Sequence, residues 1–490
     1  MVEMFVSHPL VKPETIEERE YQRRIVESAL KKNTLVVLPT GVGKTVVAAL
    51  VIAERLRNHP ETRALFLAPT RPLASQHAEF FRKCLKLSVS LVTGTVKKPE
   101  RKRLYGSDVV VATPQTVEND LKSGDLDLRD FSLLIVDEAH RSVGNYAYTF
   151  VAREFVNGSG NPLILGLTAS PGSDEEKIRE ICSNLFIRSV ELRTEEDEDL
   201  KPYVKRIEIE VRKVELKGSL AEARELLREA LRDRLGSLGS YGPKPKTKRE
   251  VLALQKRFSA QVKTNPSLFR ALSLTAEVLK IWHALELLET QSSSAAVKYL
   301  GKLGTRASDR AVLSDERISR AIVLMTGEEH PKLEELVKIV KEEMGKRIIV
   351  FSHFRDNIQK IREVLEEVCN PAVLVGQAGE DGLTQREQVE TVKRFEEGVY
   401  DCLITSPVGE EGLHISSADV GIFYDSVPSE IRTIQRRGRV GRVKIGKVIF
   451  LVTKNTRDEV YFYVARRKER KMKEILKEMK PKERSLQEFL

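Results

Sequence analysis

Short apolar runs bounded by loop-forming residues recur along the first 200 residues: Thr34–Leu38, Ala64–Ala68, Asp108–Ala112, Leu133–Val136 and Leu163–Leu167. Helical patterns fill the intervals. Continuous apolar runs of this length suit strands covered by helices on both faces, so they predict a parallel sheet in an α/β layer fold, with ligands at the carboxyl ends of the strands. A second series follows at Arg347–Phe351, Ala372–Val375, Cys402–Thr405, Val420–Tyr424 and Lys447–Val452. Two such lobes are expected. Between them, Leu220–Leu235, Glu250–Lys263, Leu268–Glu289 and Ala295–Leu303 carry apolar residues at helical spacing, broken by the basic Gly-Pro-Lys stretch Tyr241–Arg249. That pattern predicts a helical insertion. The chain then closes on a basic helix, Asp458–Lys480, expected to lay its apolar face on the second lobe. Three units result, 1–202, 203–325 and 326–490, in line with a prior of about 150 residues per domain.

Charge sharpens this division. The chain carries a formal +10, and Tyr203–Ala321 alone holds 24 Lys and Arg against 14 Asp and Glu. That stretch equals the whole excess, so positive potential concentrates on the insertion and a phosphate-bearing partner is expected there. A solvated bundle that merely spaces the lobes is the competing reading. No uncharged apolar run approaches the ~20 residues that cross a bilayer. The Met1–Leu10 segment also lacks a signal pattern, so a cytoplasmic protein without membrane contact is expected. Cys84, Cys182, Cys369 and Cys402 stand far apart in sequence without CxxC spacing, which suggests neither a zinc site nor a disulfide framework. The Lys- and Glu-rich balance, with six Met and one Trp, resembles that of hyperthermophile proteins.

The first strand runs directly into Pro39-Thr40-Gly41-Val42-Gly43-Lys44-Thr45 and then into a helical stretch. Strand, loop and helix stand in the order a phosphate cradle requires. Gly41 and Gly43 let backbone N–H groups turn toward phosphates, with Thr40 in the same loop. Lys44 supplies a point charge, and Thr45 offers a hydroxyl to Mg²⁺. The strict GxxxxGK[ST] pattern would place Gly where this chain has Leu38. A later strand ends at Asp137-Glu138-Ala139-His140. Asp137 suits a Mg²⁺-holding carboxylate, and Glu138 suits the base that orients and deprotonates an attacking water. Arg71 in Ala68-Pro69-Thr70-Arg71-Pro72-Leu73 and Thr113 in Ala112-Thr113-Pro114 follow strands and suit phosphate oxygens of a nucleic acid. Four arginines within Gln435-Arg436-Arg437-Gly438-Arg439-Val440-Gly441-Arg442 cannot form a buried core element.

In this order the stretches resemble the motifs of superfamily 2 DEAH-containing helicases. PTGVGKT is similar to motif I, and Asp137-Glu138-Ala139-His140 to motif II. The Arg71 and Thr113 stretches resemble motifs Ia and Ib, and Thr168-Ala169-Ser170 resembles motif III. Phe351-Ser352-His353-Phe354-Arg355 resembles motif IV, the Thr405–Ile415 stretch motif V, and Gln435–Arg442 motif VI. The resemblance implies two RecA-like lobes and ATP with Mg²⁺ as cofactors. It also implies nucleic-acid contacts through Arg71, Thr113, Ser352 and Thr405, and coupling through Thr168, Ser170 and Gly412. Arg439 and Arg442 would be arginine fingers with Gln435 nearby, a device that supplies roughly 10³ to 10⁵ in rate. Where motif V often has Asp after Gly-Leu, this chain has His414. Tyr21-Gln22 looks like the adenine-reading Q motif, whose amide matches the donor and acceptor of adenine.

The Asp-Glu-Ala-His-Arg stretch followed by Gly144-Asn145-Tyr146-Ala147-Tyr148, Leu167–Gly172 and the helical insertion narrows the resemblance to archaeal Hef helicases and their FANCM relatives. This implies an ATP-dependent DNA helicase acting on forks and junctions, moving 3′ to 5′. Double-stranded RNA helicases of the RIG-I and Dicer type share the plan, so a double-stranded RNA-dependent translocase is the alternative, and a binding scaffold with a silent ATPase is the alternative from another class. Hef proteins also carry an XPF-type nuclease with an ERKxxxD signature. Here Glu469-Arg470-Lys471 is followed by Ile475 at the acidic position, so the triplet reads as chance on a charged helix. The chain is expected to be either the helicase portion of a longer protein or a member without the nuclease.

Overall fold

The computed structural model describes residues 4–39, 41–194, 196–203, 208–376, 382–405, 415, 418–425 and 446–479. The first lobe is a seven-stranded parallel sheet: β1 (Thr34–Val37), β2 (Arg63–Leu67), β3 (Val89–Val92), β4 (Val109–Ala112), β5 (Phe131–Asp137), β6 (Leu163–Thr168) and β7 (Ser189–Leu192), in the spatial order β3-β4-β2-β5-β6-β1-β7. Alternate residues of each strand enter opposite cores. Val36, Phe66, Ile135 and Leu165 pack on one face, and Val37, Leu65, Val136 and Ile164 on the other. Burial on both faces is why these strands read as unbroken apolar runs. The second lobe is a six-stranded parallel sheet of β8 (Glu208–Val214), β9 (Ile348–Phe351), β10 (Pro371–Leu374), β11 (Cys402–Thr405), β12 (Val420–Phe423) and β13 (Lys447–Thr453), in the order β10-β11-β9-β12-β13-β8.

The helical insertion lies between the two sheets in sequence and builds its own core. Its helices are Gly218–Leu238, Lys248–Gln261, Leu268–Thr290, Ser293–Gly301, Ala307–Leu313 and Glu316–Met325. The start expected for this unit, residue 203, needs correction. Residues 208–214 form β8, which pairs in parallel with β13 along its whole length and therefore belongs to the second sheet. The strand hides in sequence because it is an edge whose charges are neutralised laterally. Arg212 reaches Glu335 at 3.3 Å and Glu342 at 2.8 Å, while Lys447 Nζ reaches Glu210 at 2.7 Å and Glu343 at 2.9 Å. Charged edges also resist unwanted strand pairing.

A second correction concerns the C-terminal helix, Arg457–Met479. Phe462 packs in a core of the second lobe, yet Met472, Ile475 and Leu476 enter a core of the first. At 1.5 Å per residue the ten residues from Phe462 to Met472 cover about 15 Å, enough to cross from one lobe to the other. The stripe Met472, Ile475, Leu476, Met479 has the one-face spacing that a second hydrophobic surface satisfies.

The root of this helix is a buried ion pair. Lys332 and Asp458 are both fully buried, with Lys332 Nζ 2.6 Å from Asp458 Oδ2. The ammonium also donates to the carbonyl oxygens of Tyr424 at 2.8 Å and Thr290 at 3.2 Å, and Asp458 Oδ2 accepts from Thr453 N–H at 2.9 Å. His330 caps the helix Pro331–Glu342 beside it, Nδ1 accepting from Lys332 N–H at 3.2 Å. Burial first, and then the Lys332 charge, push the His330 imidazole down to about 3.

Removing one charge of such a pair strands the other. Asp458→Asn is expected to lower unfolding free energy by about 3–5 kcal/mol in urea titrations, and a loss below ~1 kcal/mol would show the pair to be dispensable. His330 is neutral in the folded chain but titrates near 6.5 when unfolded, so its contribution is complete above pH 6.5 and lost as pH falls toward about 3. His330→Asn, which keeps a capping acceptor without a titrating ring, should flatten the acid limb of the stability profile across that window; an unchanged limb assigns acid sensitivity elsewhere.

Candidate nucleotide site and nucleic-acid face

Strand register brings the chemistry of the first lobe to one sheet edge. Val37 of β1 is level with Thr168 of β6, and Leu167 is level with Asp137 of β5. Hence the loop after β1, the acidic pair after β5 and Thr168-Ala169-Ser170 after β6 emerge side by side from three adjacent strands. Next along the edge, β2 and β4 end at Leu67 and Ala112, which are paired with each other, and lead to Arg71 and Thr113. With strands about 4.8 Å apart, β4 lies four spacings from β1, roughly 19 Å. The edge is thus divided: the glycine loop and the acidic pair at β1 and β5, Arg71 and Thr113 at β2 and β4.

Gly41 and Gly43 have φ of 85° and 86°, a left-handed conformation that only glycine takes at no steric cost. At Gly43 a Cβ would also meet Gln22 Nε2 at 2.5 Å. Lys44 opens the helix Lys44–Asn58, and its Nζ lies over the loop it follows, 3.1 Å from Leu38 O and 3.3 Å from Pro39 O. Thr45 stands next, in the first turn of that helix, where N–H groups and the helix dipole favour an anion. Tyr21 Oη donates to Val42 O at 2.5 Å, and Gln22 Nε2 donates to Tyr21 Oη at 3.1 Å. Gln22 is buried rather than exposed, and its Oε1 has no hydrogen-bond partner among the described residues. A buried amide oxygen left unsatisfied beside a glycine cradle fits the acceptor half of an adenine-reading amide. Thr40 lies outside the described residues.

Asp137 and Glu138 occupy different environments. Asp137 is buried, and its Oδ2 lies 3.1 Å from His77 Nε2, a residue the sequence reading missed. Behind it, Tyr148 Oη donates to Asp137 O at 2.8 Å, and burial holds that phenol well above its ordinary pKa. Glu138 takes φ 51° and ψ 49°, left-handed for a residue with a side chain, the kind of local strain found where a reacting group must be aimed. His140 Nδ1 lies 3.3 Å from Glu138 Oε2 and 3.2 Å from Thr168 Oγ1. Thr168 Oγ1 accepts from Ser170 N–H at 3.1 Å, and Ser170 Oγ donates to Met472 Sδ at 2.9 Å. A chain of contacts therefore runs from the second acid through both predicted coupling residues to the C-terminal helix.

Arg71 is exposed at the start of the helix Arg71–Cys84, whose sixth following residue is His77. Its guanidinium lies near Gly94 and Thr116, because a Cβ on Gly94 would stand 3.6 Å from Arg71 Nη2 and 3.7 Å from Thr116 Oγ1. Thr113 Oγ1 lies 2.8 Å from Thr116 Oγ1. Arg71 and Thr113 are thus brought together around Thr116. Ser352 and Thr405, expected to touch nucleic acid, differ: both are fully buried, and Ser352 Oγ donates inward to Asp425 Oδ2 at 3.0 Å. Ser352 follows β9, and Thr405 ends β11. Gly412, Gln435, Arg439 and Arg442 lie outside the described residues. In the same lobe Cys369 and Cys402, far apart in sequence, are neighbours whose thiols interact.

This edge, with two parallel-sheet lobes and a helical bundle between them, defines an ATP-dependent helicase core of the DEAD/DEAH-box class. Residues 19–178 match the DEAD/DEAH box helicase family, 331–444 the helicase conserved C-terminal domain, and 219–330 a helical bundle described for ATP-dependent RNA helicases. The crystal structure of the Pyrococcus furiosus Hef helicase domain is 42% identical, with a TM-score of 0.73, covering 91% of this chain and 97% of that one. The chain belongs to the Hef helicase family. A Methanocaldococcus jannaschii protein named as an ATP-dependent RNA helicase is 42% identical over 97% of this chain and 63% of its own length. The ATP-dependent DNA helicase fml1 of Schizosaccharomyces pombe is 34% identical over 91% of this chain and 58% of its own, and the mouse Fanconi anemia group M protein homolog 31% over 90% and 25%. The chain therefore spans less than two thirds of these relatives. No helix among the described residues is long and apolar enough to cross a membrane.

His77→Ala should lower ATP turnover by about 10- to 100-fold, the usual cost of losing a group that orients a metal-holding carboxylate. Half-maximal Mg²⁺ should rise with it. An unchanged Mg²⁺ requirement would reduce the His77 contact to packing.

Proposed function

We propose that this chain is a motor that hydrolyses ATP to move along DNA, 3′ to 5′, and acts on forked or branched DNA without reading its sequence. The observation that carries the reading is the single sheet edge on which Lys44, Asp137, Glu138, Thr168 and Ser170 stand beside Arg71 and Thr113. Lys44 and the first turn of its helix bind phosphates, Thr45 and Asp137 hold Mg²⁺, and Glu138 takes the proton of the attacking water. Bound Mg²⁺ neutralises charge that develops on the transferred phosphoryl group. Gln435, Arg439 and Arg442 complete the site from the second lobe. Arg71 and Thr113 grip backbone phosphates, which makes movement indifferent to base sequence.

The names of the fml1 and Fanconi relatives support DNA. The RNA helicase name of the Methanocaldococcus relative supports the alternative, a double-stranded RNA-dependent ATPase. The full-length protein is proposed to act in the cytoplasm on the nucleoid and to carry an XPF-type nuclease beyond this helicase core.

ATPase rates measured side by side with forked DNA and duplex RNA test the substrate: greater stimulation by the fork is expected, and greater stimulation by RNA reverses the assignment. Joint replacement of Arg439 and Arg442 by Ala should slow hydrolysis by roughly 10³-fold or more, and a parental rate would remove the second lobe from the chemistry. Because β8 is part of the second sheet, the insertion is best removed as 218–325. That deletion should weaken binding to branched DNA far more than to a single strand; equal loss on both refutes a branch-gripping insertion.

A further inference from the structure

The charge of the insertion is sorted in space. On its long helices, cations are matched by acids: Arg228 to Glu289 at 2.9 Å, Arg234 to Asp315 at 2.8 Å and Glu277 at 3.2 Å, Lys248 to Glu286 at 2.9 Å, Arg270 to Glu277 at 2.8 Å, and Lys280 to Asp309 at 2.6 Å. Most acids of these helices are thereby engaged. From Lys244 to Ala276 the chain has eight basic residues and one acid, Glu250. Glu250 itself is held by the N–H of Lys246, at the start of the helix Lys248–Gln261. Lys244, Lys246, Arg249, Lys256 and Lys263, and later in the chain Lys302, Arg306 and Arg310, form no ion pair among the described residues. Unpaired positive charge therefore collects on two segments.

A groove joins those segments. It is open, about 1020 Å³, and lies between the helices Lys248–Gln261 and Leu268–Thr290, closed at one end by Arg306–Ser308. Lys256 and Arg306 both line it, no carboxylate among the described residues does, and Ser259 and Ser308 add hydroxyls. Its apolar lining is unusual for a surface: Phe269 is 63% exposed and Leu252 48%. Arg270, the other lining cation, is already committed to Glu277.

We infer that this groove binds an unpaired stretch of the DNA strand at the branch, with phosphates on Lys256 and Arg306 and a base stacked on Phe269. An exposed aromatic face flanked by cations without acids is how single-stranded nucleic acid is held without sequence choice. A duplex offers phosphates but keeps its base faces stacked on each other, so Phe269 has a use only where strands part. The inference rests on the proposed branched-DNA activity and names the feature of the branch that the insertion reads.

Full-length chains carrying Phe269→Ala, Phe269→Trp, or Lys256→Glu with Arg306→Glu test it. The probes are a fork with two unpaired arms, the same fork with both arms paired, and a fork with 2-aminopurine in an unpaired arm beside the branch. Phe269→Ala should bind the unpaired-arm fork roughly 5- to 100-fold more weakly, the affinity equivalent of one lost base–aromatic stack. Binding to the paired fork should not change, and the 2-aminopurine quenching seen with the parent should disappear. Phe269→Trp should restore both signals, while the double charge reversal should weaken binding and flatten its salt dependence. Because Phe269 is remote from the nucleotide loop, ATPase without nucleic acid should stay at the parental rate. Equal losses on both forks, or quenching that survives Phe269→Ala, overturn the stacking site while leaving the motor intact. A parental chain that binds neither fork more tightly than an unbranched duplex of the same length overturns the branched-DNA reading itself, and the groove with it.

Discussion

The Lys332 ammonium, sealed from water and shared among Asp458, Tyr424 O and Thr290 O, is where four parts of the chain are tied. Thr290 ends the longest helix of the insertion, Tyr424 follows β12, Lys332 opens the second lobe's first helix, and Asp458 begins the C-terminal helix. A buried charge cannot leave one partner without exposing the others to an uncompensated loss, so the pair sets geometry more than it adds net stability. Contacts around it extend the tie. Glu289 accepts from Arg457 N–H at 3.1 Å, Arg457 covers the Trp282 ring at 4.5 Å, and Tyr461 donates to Glu286 at 2.7 Å. The insertion and the second lobe are held as one body, and the C-terminal helix leaves that body already aimed.

Its far end meets the nucleotide edge. Met472 accepts from Ser170, and Ser170 leads back through Thr168 and His140 to Glu138. The acid proposed as the base thus shares a chain of polar contacts with a helix rooted beside the insertion. Helices are stiff along their axes, and packed cores resist continuous deformation, so a displacement between the lobes has to be absorbed at the two ends of this helix. In the first lobe, the helix Arg71–Cys84 makes a second link of the same kind, with Arg71 at its start and His77 on Asp137. One connection joins the acidic pair to the face that carries Arg71, and the other joins it to the far lobe.

How much of this the sequence disclosed follows from where each element sits. Central strands, apolar on both faces, were legible as continuous runs, and the motifs at their ends came with them. The three strands that were not foreseen, β3, β7 and β8, are edges. Val89–Val92 alternates between half-buried and buried, and Glu-Ile-Glu-Val-Arg-Lys-Val has the composition of a solvated segment until its partners are known. The burial of Ser352 and Thr405 was not legible for a related reason: a motif gives position along a strand, but not whether a hydroxyl turns toward solvent or, as in Ser352, toward Asp425. His77 carried no local signal, because its meaning comes from a carboxylate 60 residues away. The destination of the C-terminal helix was likewise hidden, since an apolar stripe states that a partner surface exists without saying which one.

The sorting of charge on the insertion gains meaning from the same tie. A bundle that pairs Arg228 with Glu289 beside Thr290, and whose unpaired cations gather on Lys244–Lys263 and Lys302–Arg310, has an ion-paired attachment and a positive working end. Fixed to the second lobe, that end travels with it. In the proposed cycle a nucleic acid held there moves relative to Arg71 and Thr113 whenever the lobes change distance, while the ion pairs at the root keep the grip from yielding. Two handholds on different bodies are the minimum for a motor that steps, because a grip confined to one lobe would carry its strand along without advancing it. The insertion therefore has a mechanical reason to bind phosphate at the end remote from its root, and its charge is arranged to that end.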